Sequence, residues 1–304
     1  MHKYLIILIS FLAATSCRYS FELDTYGLEQ RIAVRSVIGA EDSTSILVHK
    51  ALPITEIGNE DTYMDNAAVI LKCNGKEVET SSVRLDKTGF RFDAGVFKHG
   101  DRIEIIAGAD GIETATAVTT IPEKFPDFEV DLKVVENGIR HLNIAYEDNP
   151  ETEDYYGVSV LRQVVLNATP DVLLPESPIW PISYGEGLTL DPNAYSPVFT
   201  LWNGLSLFIW KDSDETDNTY DIFFRHDYEN YQIKERQVKC RLFKLSEELY
   251  RTILAEYDLS DSPFASLGLS SPSFTYTNIK NGVGWFCSYS TIDSEWISDP
   301  QEDL

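Results

Sequence analysis

The sequence predicts an all-β protein with one helix in its C-terminal half. Apolar residues recur at period two in short runs, turn-forming pairs such as Asn74-Gly75 and Asp110-Gly111 separate those runs, and one stretch stands out with helical spacing. The expected arrangement is an N-terminal β-sandwich over 29–122, immunoglobulin-like or carboxypeptidase-regulatory-like. A second, larger β-rich domain is expected over 127–304.

The elements follow in chain order. Met1-His2-Lys3 carries one firm positive charge, and Tyr4–Leu12 is mostly apolar. A spanning helix needs about 20 apolar residues, so this run is too short for one. A basic start, a short apolar run and the small residues Ala13-Ala14-Thr15-Ser16 describe a signal peptide over 1–16. Cys17 stands where the cut would fall, and its thiolate can accept a lipid. The stretch resembles a bacterial lipobox, departing from it at Ala14, where leucine or a similar residue is usual. Cys17 is therefore the expected lipidation site, with palmitate among the expected acyl chains, and 17–28 is a tether. The other reading is an ordinary secretory signal with a chance cysteine.

Strand signals begin after Arg31. Ile32–Gly39, Ser45–Val48 and Ala67–Cys73 are β-rich, and Asn74-Gly75 turns the chain into Lys76–Val78. Both central residues of such a hairpin need positive φ, which Asn and Gly tolerate. Phe90–Phe92 and Arg102–Ile106 alternate, and Asp110-Gly111 leads into Thr114–Pro122. Pro122 and Pro126 mark a linker. Beyond it, Phe128–Val134 and His141–Tyr146 alternate around Asn137-Gly138, and 147–154 reads as an acidic loop. Tyr156–Val165 is a strand, and Pro175, Pro178, Pro181, Pro192 and Pro197 make 170–197 an irregular excursion. Phe199–Trp210 and Tyr220–Phe224 are strands around the acidic loop 211–219, and Gln232–Phe243 is another. Ser246 caps the helix expected near 246–257, with Leu249, Tyr250, Ile253, Leu254 and Tyr257 on one face.

The ending carries a family resemblance. Ser246-Glu247-Glu248-Leu249-Tyr250 is followed by Ser262-Pro263-Phe264, then by Asn278-Ile279-Lys280-Asn281-Gly282-Val283-Gly284-Trp285-Phe286. This resembles the Bacteroidota lipoprotein family known as domain of unknown function 4249, as does the Ala68-Val69 strand. Trp285 and Cys287 depart from the smaller residues common there. The resemblance implies an outer-membrane lipoprotein working beside a TonB-dependent outer-membrane receptor, and it carries no activity. Asn281, Gly282 and Gly284 also read as turn-formers, with Phe286 plugging a core.

Composition narrows the function. The chain has 304 residues and a net charge of −24, so it repels nucleic acid and anionic membrane surfaces. Beyond Cys17, either Cys240 and Cys287 form a disulfide or Cys73, Cys240 and Cys287 are three buried thiols. The mature chain's histidines (His49, His99, His141 and His226) lack metal-ligand spacing, and no nucleophile elbow or phosphate-cradling glycine loop occurs. No cofactor or metal is expected. Asp212, Asp214 and Thr216 have calcium-loop offsets, but Asp217 stands where that loop needs Gly and Phe223 where it needs Glu. A solvated turn is the resulting reading, with Asp212 and Asp214 as weak calcium candidates. Trp180, Tyr184 and Tyr195 either bind a ligand such as a sugar or tuck the excursion against its domain.

The expectation is a non-enzymatic, lipid-anchored accessory protein of the outer membrane. Its alternatives are a glycan-binding or adhesin module and a hydrolase using scattered carboxylates. Arg18-Tyr19-Ser20-Phe21-Glu22 after Cys17 has no acidic cluster, so the periplasmic and surface faces both stay open.

Overall fold

The computed structural model describes residues 30–51, 64–87, 89–134, 139–179, 198–200, 206–212, 217–224, 233–261 and 276–299. The protein is mainly β, with several sheets and one helix among the described residues. Cys17, Trp180, Tyr184, Tyr195 and Asp214 lie outside them.

The first part holds β1 (Arg31–Gly39), β2 (Ser43–Ala51), β3 (Ala68–Cys73), β4 (Lys76–Val78), β5 (Ser81–Arg84), β6 (Gly89–Val96), β7 (Arg102–Ala109) and β8 (Ile112–Thr120). Both predicted hairpins form: Asn74 and Gly75 have φ of 51° and 78°, and Gly111 has φ of 75°. The strands divide into the order β1-β2-β6-β5 and a four-stranded sheet β4-β3-β7-β8. Alternating residues supply a shared core. Ile32 and Val34 of β1 and Ile46 and Val48 of β2 join Leu71 of β3 and Ile103 and Ile105 of β7.

Past residues 121–127 come β9 (Phe128–Val134), β10 (Arg140–Glu147), β11 (Tyr155–Leu166), β12 (Thr169–Leu173) and β13 (Ser177–Pro178). Then follow β14 (Val198–Thr200), β15 (Ser206–Lys211), β16 (Asp217–Phe224), β17 (Ile233–Leu245), α1 (Glu247–Asp261), β18 (Gly282–Asp293) and β19 (Ile297–Ser298). A three-stranded sheet β16-β10-β9 packs its apolar face on β11, β15 and β17. Helix α1 covers the opposite face of that larger sheet with Leu249 and Ile253. Both faces of β11 are thus covered, and Tyr155–Arg162 is buried without interruption. The Ser246 hydroxyl accepts from the Leu249 N–H at 3.3 Å and caps α1. That helix runs to Asp261, beyond the expected 257.

The proline-rich excursion is not wholly irregular. β12 and β13 both pair with β11 before residue 180. Nor is Phe199–Trp210 one strand, since β14 and β15 pair antiparallel with each other, Phe199 opposite Leu207.

The two parts share one twelve-stranded sheet, joined by β18. On one side β18 runs antiparallel to β17, with Leu245 opposite Tyr289. On the other it runs parallel to β1, from Ile32 opposite Gly282 to Gly39 opposite Tyr289. Lys280, just before β18, also exchanges two backbone hydrogen bonds with Thr116 of β8, at 2.8 and 3.0 Å. The C-terminal stretch therefore reaches both N-terminal sheets, and Ile279 and Phe286 complete their core. The linker is likewise anchored, because Phe125 is buried against the rings of Phe128, Tyr146 and Tyr156.

Cys73, Cys240 and Cys287 are free thiols, so the Cys240–Cys287 disulfide is not formed; Cys240 and Cys287 are buried, whereas Cys73 is only partly so. The Cys240 carbonyl accepts from Ser294 N–H, whereas Cys287 lies seven positions before Ser294. At about 3.3 Å per strand residue the two cysteines are far beyond the roughly 7 Å Cα limit of a disulfide. No helix among the described residues is long and apolar enough to cross a membrane.

Candidate functional site

Three carboxylates meet where β10 turns into β11. Lys211, the last residue of β15, sits opposite Tyr155, the first of β11. One position beyond that rung, the Asp212 N–H donates to the Asp154 carbonyl at 3.1 Å. The Asp154 N–H donates back to Asp212 Oδ2 at 3.0 Å. Strand register thus unites two acids from distant turns. Asp148 enters from the start of the β10–β11 turn, and an oxygen from each of the three residues lies within 4.8 Å of the others.

Asp148 is 9% exposed. Its Oδ1 accepts from the Tyr156 hydroxyl at 2.7 Å and from the Asn149 N–H at 2.8 Å. Its Oδ2 is fully enclosed and has no hydrogen-bond partner. A buried oxygen in that state ordinarily costs about 1–3 kcal/mol, more when charged. The Lys244 ammonium donates to Asp154 Oδ2 at 2.7 Å, and the Thr152 hydroxyl lies 3.1 Å from the same oxygen. Burial pushes the Asp212 carboxyl above its ordinary value; the Asp154 N–H opposes this, and the charges of Asp148 and Asp154 add to it.

Aromatic rings adjoin the group through Tyr156, whose hydroxyl bonds Asp148. Tyr156 packs on Tyr146 and Trp210, and Trp210 stacks on Tyr220 with ring centroids 4.0 Å apart. Trp210 Nε1 donates to the Tyr146 hydroxyl at 2.8 Å. Burial pushes Tyr146 up to about 12. Tyr156 is also raised, first by burial and then by its bond to Asp148, so at neutral pH its hydroxyl remains a donor to Asp148. A cavity of about 630 Å³ borders Asp148 and Asp154, with Pro122, Glu123 and Lys124 of the linker completing its wall.

The donors of this group are all oxygens, which suit a hard cation. Sequence reading placed Asp212 in a loop with Asp214 and Thr216. The structure sets Asp212 beside Asp148 and Asp154 instead, while 213–216 lie outside the described residues. Asp148 and Asp154 were hidden in the acidic run 147–154, which resembles many solvated loops. The available signal was that 147–154 and 211–219 both adjoin strand ends.

A family model described as a domain of unknown function, DUF4249, matches residues 18–294. The chain belongs to the DUF4249 family. No curated protein matches it. The ending that carries the DUF4249 resemblance has defined structural work. Asn278 Nδ2 donates to the Phe286 carbonyl at 2.8 Å, and the Phe286 N–H donates to Asn278 Oδ1 at 2.9 Å. Asn281 turns the chain with φ of 60°, and Gly284 takes φ of 99° against β1. Phe286 is fully buried.

Proposed function

We propose that this DUF4249 protein is a non-enzymatic, lipid-anchored accessory protein of the outer membrane. It works with a TonB-dependent receptor or that receptor's cargo. The observation that carries this reading is Cys17 at the close of a short apolar leader. Thirteen residues separate Cys17 from Arg31, the first residue of β1, a reach of at most about 50 Å. Such a tether keeps the folded part near its membrane. The N-terminal sheets then serve as an immunoglobulin-like or carboxypeptidase-regulatory-like sandwich for protein contact. Their two-layer packing and alternating cores support that finer description.

Two measurements test the proposal. Cys17→Ser is expected to abolish palmitate labelling and release the protein from membranes; unchanged labelling and membrane binding would overturn the anchor. Pull-down from solubilised outer membranes is expected to recover a receptor. Recovery of the protein with no receptor counts against the partnership. Protease treatment of intact cells assigns the face.

A further inference from the structure

We propose that Asp148, Asp154 and Asp212 hold one divalent cation of the calcium type. The inference does not depend on the accessory role above. Two oxygens bound to one calcium ion at 2.3–2.6 Å can stand at most about 5 Å apart. One oxygen from each of the three residues lies within 4.8 Å of the other two, inside that limit. Magnesium demands a near-regular octahedron at about 2.1 Å and sheds its water reluctantly, whereas calcium accepts irregular sites of mixed oxygens.

Asp148 supplies the second observation. Its Oδ1 is satisfied twice, whereas the enclosed Oδ2 has no donor. The Lys244 ammonium is engaged at Asp154. Three carboxylates and one ammonium leave two negative charges, which a single divalent ion neutralises. Calcium takes 6–8 oxygens, so carbonyls and water complete its shell. The cavity beside Asp148 and Asp154 gives a route of entry. The bound ion would fasten the β10–β11 turn to the end of β15.

Terbium is the probe, because it substitutes for calcium and is excited by nearby aromatic rings. Tyr156, Tyr146 and Trp210 lie beside the site. The full-length protein, purified in detergent and stripped by a chelator, is expected to give sensitised emission at one ion per chain. Calcium should displace terbium at least about tenfold more effectively than magnesium. Asp148→Asn and Asp212→Asn should each weaken binding about tenfold or more, while exposed Asp131→Asn leaves it unchanged. Circular dichroism checks folding, and if one site variant fails to fold the other decides. Absence of emission from the folded protein overturns the proposal. So does unchanged binding in a folded site variant, or equal weakening by Asp131→Asn, which would mark diffuse attraction to an acidic surface.

Discussion

Gly284 sits in β18 with φ of 99°, a conformation that side chains rarely adopt. A methyl group there would also strike the Val34 carbonyl of β1. Gly284→Ala is expected to destabilise the protein by about 2–4 kcal/mol, read as a lower urea midpoint with an unchanged slope. An unchanged midpoint would mean that the β1–β18 ladder yields at low cost. Sequence reads Gly284 as a turn-former, but it is a strand residue of β18, and the β1 backbone pressed against it leaves no local signature. The same holds for Asn278, whose two bonds to Phe286 depend on how the chain returns. Burial pushes the Cys287 thiol up to about 12, and Cys240 higher still, so both stay protonated in the native protein.

At the scale of elements, the β17–β18 ladder carries a charged rung. Arg241 lies opposite Asp293, with Nε to Oδ1 at 2.7 Å and Nη2 to Oδ2 at 2.9 Å. Lys239 adds a contact of 2.8 Å to Asp293. The Arg241 bonds hold the Asp293 carboxyl below its ordinary value, outweighing burial, and Lys239 assists. A depressed carboxylate stabilises the fold above its unfolded value near 4 and loses that effect as pH falls through the lower folded value. Asp293 is about one-third exposed, so solvent screening limits the gain to about 1 kcal/mol. Asp293→Asn is expected to lower stability by that amount at pH ~7, with the difference shrinking below pH ~4. Urea midpoints at several pH values check this, and a constant difference would exclude the charge as its source.

Elements with strong local signals were legible: the Asn74-Gly75 hairpin, the alternation in β10 and the capped α1. β12 and β13 were not, because prolines spoke for a loop while β11 supplied the pairing. The acidic group was only one-third legible. Asp212 drew notice through local spacing, but its approach to Asp148 and Asp154 is set by β11–β15 register, which has no local signature.

At the scale of the whole molecule, the end of the chain completes its beginning. Phe286 and Ile279 fill the first core, the Ser288 hydroxyl donates to the Thr120 carbonyl at 2.8 Å, and Arg140 meets Asp299 at 2.9 Å between buried side chains. A fragment of residues 30–127 therefore lacks part of its core and one neighbour of β1. It is expected to keep strand-type far-ultraviolet circular dichroism, lose the near-ultraviolet signal and bind the dye ANS. A cooperative urea transition in that fragment would show that the first part stands without β18.

The parallel pairing of β1 with β18 also acts on time. Ile32 must wait for Gly282 before its rung can close. Synthesis at about 5–20 residues per second makes that wait on the order of 10–50 s. Throughout it the first strand has an open edge, vulnerable to pairing with another chain. A nascent protein of this design keeps its first core incomplete until β18 has emerged to supply Phe286 and the partner of β1.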